Sequence, residues 1–173
     1  MTTTAPARRI DNLVALLETL HELHLELLDI VQERIDAMKR ADITGMRDVG
    51  NREQALVQRI SEREGLRKQL VDDIGRDMGM APRAARAMSA SQFAERIAGK
   101  RRGAVQRLTV ALRETLARVA RANQTSSMIA QGVLGHFRAI FESARTDDAS
   151  GTGYGGSGKA IAEQDARIFD AVG

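Results

Sequence analysis

The chain has 173 residues, with 26 basic and 23 acidic side chains, a net charge of +3, and an aromatic content of 3%. So few aromatic residues, together with only two prolines, fit long helices far better than a sandwich or barrel. The absence of cysteine excludes disulfides, thiolate metal ligands and a cysteine nucleophile. Because basic and acidic residues alternate along the sequence, we interpret them as solvated helix surface and expect no nucleic-acid binding.

The first long helix is predicted after a short polar lead, residues 1–8, which lacks the apolar core of a signal peptide. With no long apolar run elsewhere, we expect a soluble, cytoplasmic protein without direct membrane insertion. Asp11 is the predicted N-cap of a helix that runs to about Arg40. Its apolar residues repeat at heptad-like steps: Leu13, Leu16, Leu20, Leu23, Leu27, Ile30, Ile35 and Met38.

A second helix is predicted to begin at Asp42, which is a suitable N-cap. The very short connection makes the two helices antiparallel neighbours. Gly45, Gly50, Glu53 and Arg63 interrupt its apolar seam, and each glycine costs about 1 kcal/mol of helix stability relative to alanine. We therefore expect it to be the least stable of the long helices. Its seam residues are Ile43, Met46, Val49, Leu56, Ile60, Leu66, Leu70 and Ile74.

A short connector helix is predicted next, because Gly75, Gly79 and Pro82 end the second helix and Phe93 and Ile97 then follow at helical spacing. The last and longest helix is predicted from Gly103 to Ala144. At 1.5 Å per residue it would be roughly 60 Å long, so its apolar stripe needs partners to cover it. The stripe contains Val105, Leu108, Leu112, Leu116, Val119, Asn123, Ser126, Ala130, Val133, Phe137, Ile140 and Ala144.

Two features of this last helix have more than one interpretation. The polar seam residues Asn123 and Ser126 either fix the register of the bundle or mark the point where the seam faces something else. The apolar residues beyond them are either ordinary core or a surface for a partner helix. The residues of this candidate surface are Ile129, Val133, Phe137, Ile140 and Phe141.

The C-terminal tail is predicted to be flexible, because residues 147–158 are rich in glycine and serine. Tyr154 has no core to join, so it is a candidate recognition anchor, and Gly155 and Gly158 would allow close backbone approach. The final segment, residues 160–172, has apolar residues at helical spacing but is too short to be a stable isolated helix.

No catalytic, cofactor-binding or metal-binding residues are predicted. Gly153 to Lys159 resembles a phosphate-binding loop, but Ala160 stands where a hydroxyl is needed and no strand precedes it. His21 and His24 are three residues apart rather than the four of a zinc-binding helix. We interpret them as histidines at the solvent edge of the first helix.

The predicted fold is therefore all-α: an elongated antiparallel coiled-coil-like helical bundle with three long helices, a short connector helix and a flexible C-terminal tail. The predicted division of the chain is a disordered lead at 1–8, a helical bundle at 9–146, and a tail at 147–173 that includes the terminal segment with helical spacing.

Several local sequences together resemble the FlgN-type flagellar export chaperones over about residues 10–170. The most specific is the tail with Tyr154, Gly155 and Gly158 following the last helix. The other segments are Arg52-Glu53-Gln54-Ala55-Leu56, Glu62-Arg63-Glu64, Met78-Gly79-Met80, Met88-Ser89-Ala90-Ser91-Gln92-Phe93, and Asn123 with Ile129.

This resemblance implies a non-enzymatic chaperone without a cofactor. Its client would be the C-terminal segment of a hook-associated junction protein, bound by the C-terminal part of the chain. The family's tail tyrosine, here Tyr154, would dock on the cytosolic domain of the flagellar export gate. Two rival interpretations remain at this point: a self-assembling coiled-coil scaffold, and a nucleic-acid-associated protein that uses its arginine-rich helix faces.

Overall fold

The computed structural model describes residues 5–81, 84, 88, 90–97 and 100–150. The chain divides into two compact units, Met1–Val133 and Leu134–Gly173, which we describe separately. The described residues form four helices and no strand: α1 (Ala5–Lys39), α2 (Ile43–Asp77), α3 (Ala90–Arg96) and α4 (Lys100–Ser150). The predicted all-α fold, with three long helices and one short connector helix, is confirmed.

The turn between α1 and α2 is a tight reversal that satisfies the backbone at both helix ends. Asp42 donates its N–H to the Ala37 carbonyl at 3.0 Å, and Ala41 donates to Met38 at 3.1 Å, which is the Schellman pattern. Ala41 lies in the left-handed region, with φ of 53°. The Asp42 carboxylate then accepts the Gly45 N–H at 2.9 Å, so the predicted N-cap of the second helix is confirmed.

Ion pairs between helices show the direction of each helix in the first unit. Arg9 pairs with Asp77 at 2.5 Å and Arg52 with Glu33 at 2.5 Å, so α1 and α2 are antiparallel, as predicted. Polar contacts join α4 to α1 in increasing order along both helices. These contacts are Asp11 with Arg101, His21 with Thr115, Arg34 with Asn123, and Met38 with Ser126. α4 is therefore parallel to α1 and antiparallel to α2.

The core of the first unit has two clusters of different composition. The first combines all four helices, and its buried residues are Ile10, Leu13, Leu17, Ile74, Phe93, Ala94, Ile97 and Val105. The second contains only α1 and α2 residues: Leu23, Ile30, Val49 and Leu56, with Leu27 and Ile60 packed against them. α4 therefore shares an apolar core with α2 only near its own N-terminal end.

Some predicted boundaries differ from the structure. α1 begins at Ala5, so the prediction that Asp11 is its N-cap is wrong. The Asp11 carboxylate instead accepts hydrogen bonds from the Arg101 guanidinium at 2.5 and 2.7 Å, and these hydrogen bonds lower the pKa of Asp11. α4 continues to Ser150, past the predicted end of the bundle at 146. The division into lead, bundle and tail stays a prediction.

The prediction for the seam of α2 is only partly correct. Val49, Leu56 and Ile74 are buried, whereas Ile43 and Leu66 are exposed. Ile43 directly follows the cap residue, where the helix has only begun. Leu66 belongs to neither core cluster.

Candidate binding surfaces

The apolar stripe of α4 is mostly covered along its first half, where Leu116, at 48% exposed, is the exception. Val105 and Val119 are buried, and Leu108 and Leu112 pack against the first core cluster. Thr115 is also buried, and its hydroxyl lies 3.2 Å from His21 Nε2 of α1. This part of the stripe is structural.

A polar bridge joins all three long helices where the apolar seam of α4 stops. Arg34 of α1 donates from Nη1 to Glu53 of α2 at 2.5 Å and from Nη2 to Asn123 of α4 at 2.6 Å. Close by, the buried Ser126 donates its hydroxyl to the Met38 sulfur at 3.2 Å. Because a shift of α4 by one heptad would break these contacts, the polar seam residues support the interpretation as a register device.

Beyond this bridge most of the large apolar residues of α4 are exposed. In the first unit, Ile129 is half-buried and Val133 is 47% exposed. In the second unit, Phe137 is 53% exposed, Ile140 48% and Phe141 69%. These three are not core residues, which excludes the first of the two interpretations for them. Two further large apolar residues of this part of α4, Met128 and Leu134, are also exposed.

A methionine-lined pocket of about 410 Å³ lies beside the polar bridge in the first unit. Met38 of α1 and Met46 of α2 form its apolar wall, and Ala130 of α4 completes it. Methionine is flexible and polarisable, so such a wall adapts to different side chains. Sequence analysis assigned both methionines to helix seams. The only sequence signal that could have indicated a shared pocket was the position of these two methionines on either side of the α1–α2 turn.

A larger cleft of about 850 Å³ lies between α2 and α4, with Leu17 and His24 of α1 at its base. The α2 side is mainly polar, whereas Leu112 and Leu116 contribute apolar surface from α4. Its lining residues are Leu17, His24, Glu64, Arg67, Lys68, Gln69, Val71, Asp72, Met88, Thr109, Leu112, Arg113 and Leu116. The sequence did not predict this cleft, since it depends on how far apart two helices lie.

The histidines do not form a metal site within the described residues, where no group of three or more potential ligands occurs. His24 is buried, and its Nδ1 donates to the Leu20 carbonyl at 2.6 Å. The prediction of a solvent-edge histidine is wrong there, because the ring turns inward to the base of the α2–α4 cleft. His136 is exposed.

The predicted tail residues Tyr154, Gly155 and Gly158 lie outside the described residues, as do the Gly153 to Lys159 loop and the segment 160–172. Their roles stay predictions. Among the residues that the structure describes, no helix is long and apolar enough to cross a membrane.

The described residues define an all-helical protein with large exposed apolar residues on α4. A family model described as FlgN protein matches residues 1–161, and the chain therefore belongs to the FlgN family of flagellar export chaperones. This is a chaperone family and not an enzyme family. No curated protein and no solved structure matches the chain.

Proposed function

We propose that this FlgN-family protein binds hook-associated junction proteins in the cytoplasm through their C-terminal segments. It thereby prevents their premature assembly and delivers them to the flagellar type III export gate. The protein acts by binding alone and uses no catalytic residue, metal or cofactor. The observation that carries the proposal is the row of exposed large apolar residues on α4.

The proposed client surface has the chemistry of a helix-binding face. Val133, Phe137, Ile140 and Phe141 follow one another at steps of four, three and one residues, which places them on one side of a helix. Burial of each such side chain contributes roughly 1.5–3 kcal/mol. A client segment that folds as an amphipathic helix would supply the complementary apolar face. Ile129, in the first unit, is a further residue of the proposed client surface.

Single aspartate substitutions test this surface. We expect Phe137→Asp and Ile140→Asp each to weaken client binding at least thirtyfold, because an unpaired charge in an apolar contact costs several kcal/mol. Titration calorimetry with the C-terminal segment of a hook-associated junction protein measures the loss. The matched control is Ala139→Asp, which adds the same charge to the same helix at an exposed position on the other face.

Circular dichroism separates loss of binding from loss of folding. All three variants should retain the helix content of the parent, since none of the substituted side chains is buried. Client affinity that is equal in Phe137→Asp, Ile140→Asp and Ala139→Asp would contradict the assignment of the client to this face.

The tail has a separate proposed role in docking on the export gate. The ring of Tyr154 would enter an apolar pocket on the cytosolic domain of the gate, and Gly155 and Gly158 would let the backbones approach. Loss of an anchor aromatic typically costs about 2 kcal/mol, or roughly thirtyfold in affinity. Tyr154→Ala should therefore weaken binding to the purified gate domain while client binding and helix content stay unchanged. Release of the client by this variant would contradict the proposal.

The same exposed face also fits a second function, self-assembly into a helical scaffold. In that case the apolar residues of α4 would be covered by another copy of the chain, because an exposed apolar patch favours association. Sedimentation at increasing protein concentration distinguishes the two functions. The chaperone proposal predicts that Phe137→Asp leaves the molecular mass unchanged, whereas a scaffold would dissociate.

A further inference from the structure

We propose that the α2–α4 cleft is a second docking site, and that it takes a short amphipathic helix with carboxylates beside its apolar face. The cleft lies entirely in the first unit. It shares no residue with the proposed client surface on α4, so this proposal does not depend on the proposed function.

The cleft exists because α2 lacks large apolar residues opposite the middle of α4. Its wall consists of long polar side chains, among them Lys68 and Gln69, and Val71 is the only aliphatic residue that it contributes. The first core cluster contains residues of both α2 and α4, and Leu112 is the last of its α4 residues. The second core cluster contains no residue of α4. The two helices therefore enclose a space instead of packing together, and Leu116 of α4 is left 48% exposed.

The size and surface of the cleft suit a short helix. Its lining extends from Glu64 to Asp72 along α2 and from Thr109 to Leu116 along α4. At 1.5 Å per residue each wall is about 12 Å long, or roughly two helical turns. Leu17, Leu112 and Leu116 offer apolar surface along this length. Two or three apolar side chains of a bound helix, spaced at three and four residues, would meet these leucines.

The charges at the cleft select for carboxylates. Arg67 is neutralised by Glu64 of its own helix, with the ion pair at 2.8 Å, and Asp72 is engaged in an interaction of its own. Lys68 of α2 and Arg113 of α4 line the same cleft. Neither has an ion-pair or hydrogen-bond partner among the described residues. The two walls therefore each present a free cation, and a helix with acidic residues on both edges of its apolar face would pair with both.

Two designed peptides test the proposal on the full chain. Both are helices of about 15 residues, a length at which binding can stabilise the helix, and both carry the same leucine face. One has glutamate on both edges of that face and the other has lysine. Fluorescence anisotropy should show the glutamate peptide binding at least tenfold more tightly at low salt, and the preference should shrink as salt is added.

A charge reversal identifies the site. In Lys68→Glu/Arg113→Glu the preference should invert, so that the lysine peptide binds more tightly. The matched control is Arg63→Glu/Arg118→Glu, which makes the same change in net charge on the same two helices at exposed positions outside the cleft. This control should keep the preference for glutamate. All the substituted side chains lie at the surface, and circular dichroism checks that the helix content is unchanged.

Three outcomes would overturn the proposal. One is that neither peptide binds, and another is that both double variants change the preference equally, because net charge alone would then explain it. The third is that Phe137→Asp abolishes binding of the glutamate peptide, which would place the peptide on the client surface of α4 instead of in the cleft.

Discussion

At the scale of single residues, the C-terminal ends of α1 and α2 have the same hydrogen-bond pattern, but a different residue type occupies the left-handed position in each. Gly79, with φ of 71°, occupies the left-handed position after α2, where Met80 donates to the Gly75 carbonyl at 2.9 Å. Ala41 occupies the equivalent position after α1. A residue with a Cβ pays for this conformation, at roughly 1–2 kcal/mol, whereas glycine does not.

The two sites therefore predict opposite effects of reciprocal substitutions. We expect Ala41→Gly to raise the free energy of unfolding by about 0.5–1 kcal/mol, because relief of strain outweighs the added freedom of the unfolded chain. Gly79→Ala should lower it by about 1 kcal/mol. Urea denaturation followed by circular dichroism measures both. The same sign of change in both variants would contradict this account of the helix ends.

A second prediction at this scale concerns the contribution of the Arg34 bridge to stability. Arg34→Ala removes the partner of the partly buried Glu53 carboxylate and of Asn123. It should lower the free energy of unfolding by about 1–3 kcal/mol, the usual cost of leaving a buried polar group unpaired. Arg34→Ala/Glu53→Ala should lose less than the sum of the two single variants. Additive losses would show that the two side chains contribute independently.

At the scale of elements, alanine substitutions in α2 show which of its glycines the fold requires. A Cβ at Gly50 or Gly65 would meet nothing within 4 Å, whereas one at Gly45 would overlap the carboxylate of the cap residue Asp42, 2.8 Å from its Cγ. Gly50→Ala and Gly65→Ala should each stabilise the protein by about 1 kcal/mol through helix propensity. Gly45→Ala should bring no comparable gain, because the cap would be displaced. Thermal unfolding followed by circular dichroism measures all three.

The helices themselves were predictable because their signal is local. Heptad-like spacing placed α1 and α4, and Asp42 gave the start of α2. The start of α1 was missed, since Asp11 looks like an N-cap until Arg101, 90 residues away in the sequence, is seen to bind its carboxylate. Local sequence patterns were equally unable to predict which part of the α4 stripe is buried by other helices. Val119 and Phe137 have the same stripe spacing, yet Val119 is buried and Phe137 is 53% exposed, a difference that spacing does not predict.

The candidate sites also differ in how far the sequence predicts them. Spacing identified Phe137, Ile140 and Phe141 as members of one face, and the structure established that this face is exposed. The methionine pocket and the α2–α4 cleft have no sequence signature, because each depends on side chains from three helices. In the cleft, Lys68 and Arg113 become significant only when they line the same space.

At the scale of the whole molecule, the proposed functions combine the role of the family with two exposed surfaces of the described chain. The FlgN family supplies the role of flagellar export chaperone. The chain contributes an exposed apolar face on α4 for the proposed client and a cleft with free cations for a second helix. Separate surfaces would let the protein hold two partners at once, and variants in one surface should leave binding at the other unchanged.

Hydrogen exchange measures directly whether a junction-protein client covers the apolar face of α4, as we propose. The full chain would be compared with and without the C-terminal segment of a hook-associated junction protein. We predict that the client slows amide exchange in residues 127–145, because burial of that face stabilises the helix there, and leaves residues 43–60 of α2 unchanged. Slower exchange confined to α1 and α2, with none in residues 127–145 of α4, would contradict the claim.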